Sequence, residues 1–384
     1  MNFHIVALPH TKTTKEYNVC AYTQKVLNFC TMMSRQSGNT VYHYGAEGSN
    51  PICTEHITVI TTEEQNKLIG DVDWQKNFFT AKFDVREPYW QLMNFRAIQE
   101  IEKRKKPGDF LCIIAGLCQK PIADALPDLI SVEYGVGYTG TFADFKVYES
   151  YAHMHFQYGK EGDNMNGRFY DAVIPNYYDP ADFPYLCEPE NYYLMATRFI
   201  ERKGIRIAVE TCEAIDATLK IAGQGANVNK NGEYVDITGI DVNIHSKNVE
   251  HIGYLDIKKR AEILAKAQAV FVPTYYVEPF GGIAVEAMLC GTPVITTDWG
   301  AFAETVVHGK TGYRCRTLEQ FIWAAKNVNK LNRAQIRAYA IKNYNFMKVA
   351  DMYEEYFAML SDLSGKGWYT IKERSNLDWL NRYD

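Results

Sequence analysis

No stretch of these 384 residues is apolar for long enough to cross a bilayer, and Met1 is not followed by a secretory leader pattern, since Phe3 to Leu8 is short and strand-like. A cytoplasmic location is the expectation. C-x-x-C spacing is absent among the nine cysteines, which are odd in number and sit mostly in apolar segments. They read as free buried thiols in a reducing compartment rather than as disulfide or zinc ligands. Neither sign of charge dominates: 41 Lys and Arg stand against 46 Asp and Glu, a net charge of −5. That excludes a global electrostatic footprint for nucleic acid or an anionic membrane, though a local basic groove stays open. Internal repeats and low-complexity tracts are also missing. Between residues 174 and 350 there is no Asp-x-Asp pair after a strand to hold a divalent metal on a phosphate. Asp236 and Asp241 are five apart, and Asp298 stands alone.

What is present is a globular composition, 47% hydrophobic and 23% charged, on a chain long enough for two domains. Its most informative stretch runs from Ala269 to Asp298, AVFVPTYYVEPFGGIAVEAMLCGTPVITTD. An apolar strand (Val270 to Val272) enters a Pro/Tyr-rich loop. Gly281 and Gly282 open a helix, Gly291 closes it, and a β-branched strand (Val294 to Thr297) follows. Glu286 is the only polar side chain from Gly282 to Cys290. A carboxylate on such a surface is costly unless a protein donor or a ligand's hydroxyl pair satisfies it. Glu278, eight residues earlier, lies beside a helix N-terminus whose free amides at Gly281, Gly282 and Ile283 suit an anion.

Glu278 and Glu286 together resemble the E-x7-E signature of retaining glycosyltransferases of family 4, the group 1 glycosyl transferases, which have the two-domain GT-B fold. The resemblance implies that Glu286 binds the ribose hydroxyls of a nucleotide-sugar and that Glu278 contacts the donor sugar. Phe280 and the amides of Gly281 to Ile283 would complete that contact. A second match is LMATRFIERKG (Leu194 to Gly204), followed by an apolar helix pattern and by the strand Leu219 to Ala222 with Gly223-Gln224-Gly225. By the same resemblance Arg198 and Lys203 neutralise the diphosphate leaving group, and Gly225 belongs to the donor site. Ile252-Gly253-Tyr254-Leu255-Asp256 resembles another donor loop, adding Tyr254 and Leu255. The resemblance covers about residues 172 to 345.

The first half reads as a second α/β domain. Strands are expected at Phe3 to Leu8, Asn39 to Tyr44, Ile57 to Thr61, Phe110 to Ala115 and Leu129 to Glu133, with helices at Tyr22 to Arg35 and Tyr89 to Lys103. Strands that alternate with helices imply a parallel sheet with functional loops beyond its C-terminal ends. The run Val173 to Asp179 resembles the family's interdomain linker. This gives an acceptor-binding domain over 1–173, a donor domain over 174–350, and a C-terminal segment over 351–384 that packs back on the first domain, with Trp368 and Trp379 in it.

This half also departs from the family pattern. The loop after the first strand, Pro9 to Lys15, is hydroxyl-rich and basic rather than Gly-rich, which puts His10, Thr11 and Lys15 on the acceptor side. At the end of the fifth strand, where relatives carry a His, stand Glu133 and Tyr134. Tyr134 reads as acceptor-facing, and Glu133 either as an acceptor-binding group or base, or as a structural carboxylate fixing the Gly135 to Gly137 turn. His153 and His155 diverge too far for a metal pair. His153 either lines the cleft as a catalytic group or is a satisfied core histidine.

The expected activity is therefore retaining, metal-independent hexosyl or pentosyl transfer, with a nucleotide-sugar co-substrate, a UDP-sugar first, and no cofactor. The acceptor is a glycan, lipid-linked glycan or small molecule. The alternative is a hydroxymethylated base in DNA, approached over Lys12, Lys15 and the run Lys103 to Lys106. Less expected is a non-catalytic sugar-nucleotide binder on the same fold. The sequence is silent on oligomeric state.

Overall fold

The computed structural model describes residues 1–70, 81–162, 166–239 and 241–366. The expected packing of Trp368 and Trp379 lies outside the described residues. Seven parallel strands form the first sheet, in the spatial order Glu55–Ile60, Thr40–Ala46, Asn2–Val6, Phe110–Ile113, Ile130–Val136, Phe145–Tyr148 and Ala172–Val173. The last two strands were not foreseen. A second parallel sheet has six strands, Val249–Gly253, Leu219–Ala222, Tyr193–Ala196, Val270–Val272, Val294–Thr297 and Gly312–Cys315. The central strands Phe110–Ile113 and Val270–Val272 are apolar and buried along their whole length, as strands covered on both faces are.

A three-stranded antiparallel meander, Asn227–Asn231, Tyr234–Thr238 and Asn243–Ser246, grows out of the second sheet. It buries Val235, Ile237 and Ile244 and leaves the alternate side chains outward. The sequence signals it with Gly232-Glu233, a two-residue hairpin turn whose first residue, Gly232, takes a φ of +64°.

Two crossings join the halves. The linker after Val173 and the return at Tyr344 to Phe346 are hydrogen-bonded to each other: the Tyr178 amide donates to the Tyr344 carbonyl (3.0 Å) and the Phe346 amide to the Tyr178 carbonyl (2.9 Å). The helix Phe346–Lys366 runs through position 350 without a break. It lays Tyr353, Tyr356 and Phe357 into the core of the first half, where the Phe357 ring sits 4.9 Å from Phe3 and 4.8 Å from Phe110. Between the two sheets, on the side where loops leave the strand C-termini, opens a cleft of about 520 Å3.

Candidate functional site

Two loops of the second half carry most of the predicted side chains, and glycines set how closely those loops approach. After the strand Tyr193–Ala196 the chain turns through Glu201–Lys203 to Gly204, at φ +76°, where a Cβ would lie 2.0 Å from the Pro273 carbonyl. This contact brings Lys203 to the loop after Val270–Val272. There the Lys203 ammonium donates to the Tyr276 hydroxyl (2.5 Å) and pairs with Glu278 Oε2 (3.2 Å), while the Tyr276 hydroxyl donates to that same oxygen (2.5 Å). Burial pulls the Lys203 ammonium below its ordinary value, opposed by Glu278 and reinforced by Arg198 and Arg202. An added anion is the natural compensation.

Gly281 precedes the helix Gly282–Leu289 in the left-handed region, at φ +77°, and the start of that helix carries no side-chain cap and lines the same cleft as Glu278 and Lys203. Arg198, Lys203, Glu278, Phe280, Gly281, Gly282, Ile283 and Glu286 all line the one cleft, as expected. Tyr254 and Leu255 border an adjoining hollow of about 230 Å3 together with Gly223, Gln224 and Glu286. Gly223 and Gln224, rather than Gly225, form that wall; the α-carbon of Gly225 faces the Phe199 amide.

The protein itself supplies the partner that Glu286 requires. Arg260, from the helix Ile257–Lys266, donates Nε to Oε2 at 2.9 Å and Nη2 to Oε1 at 3.2 Å. Nothing local in the sequence points to Arg260, because the helix carrying it reads as a charged surface helix. Tyr276 and Arg202 were also missed, although both sit within two residues of predicted ones. Arg202 stacks over the Tyr276 ring at 5.0 Å.

The first half contributes a different set of residues from those expected. Tyr134 is buried in the core, stacked 4.1 Å from Phe29, because alternate side chains of a strand point to opposite faces. Glu133 is fully buried and accepts from the amides of Phe142 (2.8 Å) and Ala143 (2.9 Å) and from the Tyr138 hydroxyl (3.1 Å). It is the structural carboxylate of the loop beyond its strand, and burial raises its pKa against those three donors. His153 holds the same loop, its Nε2 lying 3.2 Å from the Tyr138 carbonyl. The catalytic readings of Glu133 and His153 are corrected accordingly.

The acceptor-side readings of the first loop fail in the same way. His10 packs edge-on against Phe83 and Trp90, and burial takes its pKa down to about 4. Thr11 is buried and bonded to Thr23 (2.7 Å), and Lys15 reaches out to Asp182 (2.8 Å) across the domains. Lys103, Arg104 and Lys105 are paired with Glu100, Glu55, Glu102 and Asp128. That run also precedes the strand Phe110–Ile113, so it lies at the sheet end opposite the cleft. It forms no basic approach to the cleft.

The wall that the first half does present comes from the helix Ala21–Arg35, where Tyr22, Lys25 and Asn28 recur every three residues and so share one face. That spacing was visible in the sequence. Lys25 is in ion-pair contact with Glu149 and donates to the Gly135 carbonyl (3.1 Å). Burial pulls the Lys25 ammonium down to about 7, while Cys20 and Glu278 push it up. At Gly137 a Cβ would lie 2.9 Å from Glu149 Oε2, so a residue without a side chain leaves room for that carboxylate.

Several contacts hold the halves together around the cleft. The Tyr254 hydroxyl donates to Asn18 Oδ1 (2.5 Å), the Ser150 hydroxyl to the Pro279 carbonyl (2.7 Å), and the amides of Tyr151 and Ala152 to the Glu304 carboxylate (2.9 and 2.7 Å). Of the charged groups that line the cleft, Lys25, Arg198, Arg202, Lys203 and Arg260 are cationic, and Glu149, Glu278 and Glu286 are anionic. By formal charge, five basic side chains against three carboxylates leave two positive charges in excess. Among the described residues, no group of three His, Cys, Asp or Glu side chains is placed to hold a metal ion.

Residues 184–344 match the family model of glycosyl transferases group 1. A stretch of 64 residues is 41% identical to glycogen synthase of Mycobacterium tuberculosis, covering 17% of this chain and 15% of that protein, so the chain spans only a small part of this curated relative. Among solved structures, sucrose-phosphate synthase from Thermosynechococcus elongatus superimposes with a TM-score of 0.66 at 16% identity, over 94% of this chain and 98% of that one. HepE from Anabaena, solved in complex with UDP and glucose, superimposes with a TM-score of 0.61 at 14% identity, over 93% and 99%. At these identities the likeness establishes the fold. Two facing parallel sheets with a helix returning to the first are the GT-B architecture.

Proposed function

Taking residues 184–344 as a group 1 glycosyltransferase domain in a GT-B frame, we propose that the protein is a retaining glycosyltransferase. It moves a hexosyl or pentosyl group from a nucleotide-sugar, a UDP-sugar first, to a hydroxyl of a glycan, lipid-linked glycan or small molecule. One observation carries this reading: a cleft with two excess positive charges holds Lys203, buried below its ordinary pKa, beside a helix N-terminus. A nucleoside diphosphate is the anion that matches that charge.

On this reading the nucleoside lies in the hollow beside Tyr254 and Leu255, with its ribose on Glu286. The diphosphate rests against Arg198, Lys203 and the amides of Gly281 to Ile283. As the bond to the anomeric carbon breaks, positive charge grows on the sugar ring and negative charge on the departing phosphate. The cations and amides are fixed before the reaction and stabilise the second charge without reorganising, so the account calls for no essential metal. Glu278 is held by Lys203 and Tyr276 where it can accept from a sugar hydroxyl. The acceptor enters along the wall of Tyr22, Lys25, Asn28 and Glu149. Contacts such as Asn18 to Tyr254 then close the cleft and exclude water, which would otherwise hydrolyse the donor.

The test is a thermal-shift series with UDP, ADP and GDP. At least one should raise the melting temperature of the wild type, and Arg198→Ala and Lys203→Ala should abolish that rise while the proteins remain folded. An equal rise in wild type and both variants would place the nucleotide elsewhere.

A further inference from the structure

The carboxylate best placed to receive ribose hydroxyls is already occupied on one side, and how it is occupied has a consequence for specificity. An ionised carboxylate offers four lone-pair directions, two on each oxygen. The guanidinium of Arg260 approaches Glu286 through Nε and Nη2 and takes one direction on each oxygen, at 2.9 and 3.2 Å. The remaining two are left for a pair of neighbouring hydroxyls. A planar fork of this kind fixes the plane of the carboxylate as well as its position, which a lysine, as a point charge, would not do.

Among the described residues, Arg260 is the charged partner that Glu286 has. Its helix is apolar apart from itself, and the side chains of Arg260 and Glu286 are only 23% and 13% exposed. Tyr178 packs against the same helix start, its hydroxyl 2.7 Å from where a Cβ on Gly282 would lie. Arg260 and Glu286 line both the main cleft and the adjoining hollow, so the fork sits at the junction where a ribose would lie between base and diphosphate.

We infer that Arg260 is a positioning residue for nucleotide recognition: by holding the plane of Glu286 it sets the preference for a ribonucleoside diphosphate over its 2′-deoxy counterpart. This inference rests on the reading of Glu286 as the ribose group and adds the residue on which that reading depends. Without Arg260 the carboxylate can rotate, and the second hydroxyl is no longer read.

The experiment measures dissociation constants of UDP, ADP and GDP, each against its 2′-deoxy form, for the wild type and for Arg260→Met, Arg260→Lys and Glu286→Gln. In the wild type the nucleotide that binds should be preferred roughly tenfold or more over its 2′-deoxy form, the loss of one hydrogen bond to a charged acceptor. That ratio should collapse towards one in Arg260→Met and Glu286→Gln and fall to an intermediate value in Arg260→Lys, which keeps the charge and loses the fork. A purely structural Arg260 would weaken both forms alike and leave the ratio untouched, and that result overturns the inference. If Arg260→Met does not fold, Arg260→Lys decides, an unchanged ratio again counting against it. A wild type that shows no ribose preference refutes the reading of Glu286 itself, and the inference falls with it.

Discussion

Replacing Gly281 by alanine should uncouple the helix N-terminus from the diphosphate, and the cost can be built from the structure. Gly281 has φ +77° and ψ 54°, and a residue with a side chain pays about 1 to 2 kcal/mol to adopt that left-handed conformation. The new Cβ would also lie 2.4 Å from Cε1 of Phe302, a fully buried ring with no room to retreat. Overpacking of this kind costs about 1 to 3 kcal/mol. The two together come to about 2 to 5 kcal/mol, set against the 5 to 15 kcal/mol that holds a typical protein folded. The protein should therefore stay folded at low temperature, with the strain relieved by moving the start of the helix away from the cleft. Denaturant unfolding should show the loss of stability, and titration with the nucleoside diphosphate should show an affinity loss beyond it. Gly282→Ala is the internal comparison. Its φ is ordinary, its Cβ meets only the Tyr178 hydroxyl, and alanine is the better helix former by about 0.5 to 1 kcal/mol. If Gly281→Ala unfolds and binds like the wild type, the argument that this glycine presents the amides is refuted.

Glu133→Ala should destabilise by about 1 to 3 kcal/mol, because the amides of Phe142 and Ala143, which both donate to Oε2, would lose their acceptor, yet leave nucleoside diphosphate affinity unchanged; denaturant melts and titration calorimetry read the two effects separately. Acid should destabilise the fold through His43, whose Nδ1 lies 2.8 Å from that of His56 and whose pKa burial takes to about 3. Below 6.5 the unfolded chain binds a proton that the folded one refuses. Stability should thus be full above 6.5 and fall by up to about 1.4 kcal/mol per pH unit towards 3, with a shallower slope in His43→Gln on denaturant titrations across pH. Because burial lowers the free Lys203 pKa and a bound diphosphate restores it, binding should take up protons at alkaline pH below the ordinary lysine value of 10.5. Calorimetry in buffers of different ionisation enthalpy detects that uptake, which Lys203→Met should lack.

The donor half was legible because its chemistry sits on a few short-range patterns. Glu278, Gly281, Gly282 and Glu286 occupy one strand-loop-helix unit, and Arg198 and Lys203 one turn, and the family resemblance of these two patterns brought them together. The acceptor half was illegible where its assignment depended on which way a strand or loop side chain faces. Tyr134 points into the core, and Glu133 beside it is turned into the loop it caps, a distinction that the run Val132 to Tyr138 does not carry. His10 and Thr11 look like polar loop residues, yet His10 packs against Trp90 and Thr11 is buried and bonded to Thr23, partners remote in sequence. Arg260 was hidden for a related reason: its partner is 26 residues away, and a cation on an amphipathic helix looks like a solvated one. Tyr22, Lys25 and Asn28, by contrast, shared a helical face from the start, and the Gly232-Glu233 turn announced the meander. Both signals were there to be read.

The most direct test of the central claim is the release of nucleoside diphosphate from a panel of nucleotide-sugars, each offered with a panel of saccharide and small-molecule acceptors, measured in excess EDTA with wild type and Lys203→Ala side by side. The account predicts release from at least one nucleotide-sugar by the wild type, undiminished by the chelator and lost or strongly reduced in Lys203→Ala. Release that appears only when a divalent metal is restored, or that is equal in the two proteins, would contradict the claim that Lys203 and its neighbours stabilise the leaving diphosphate.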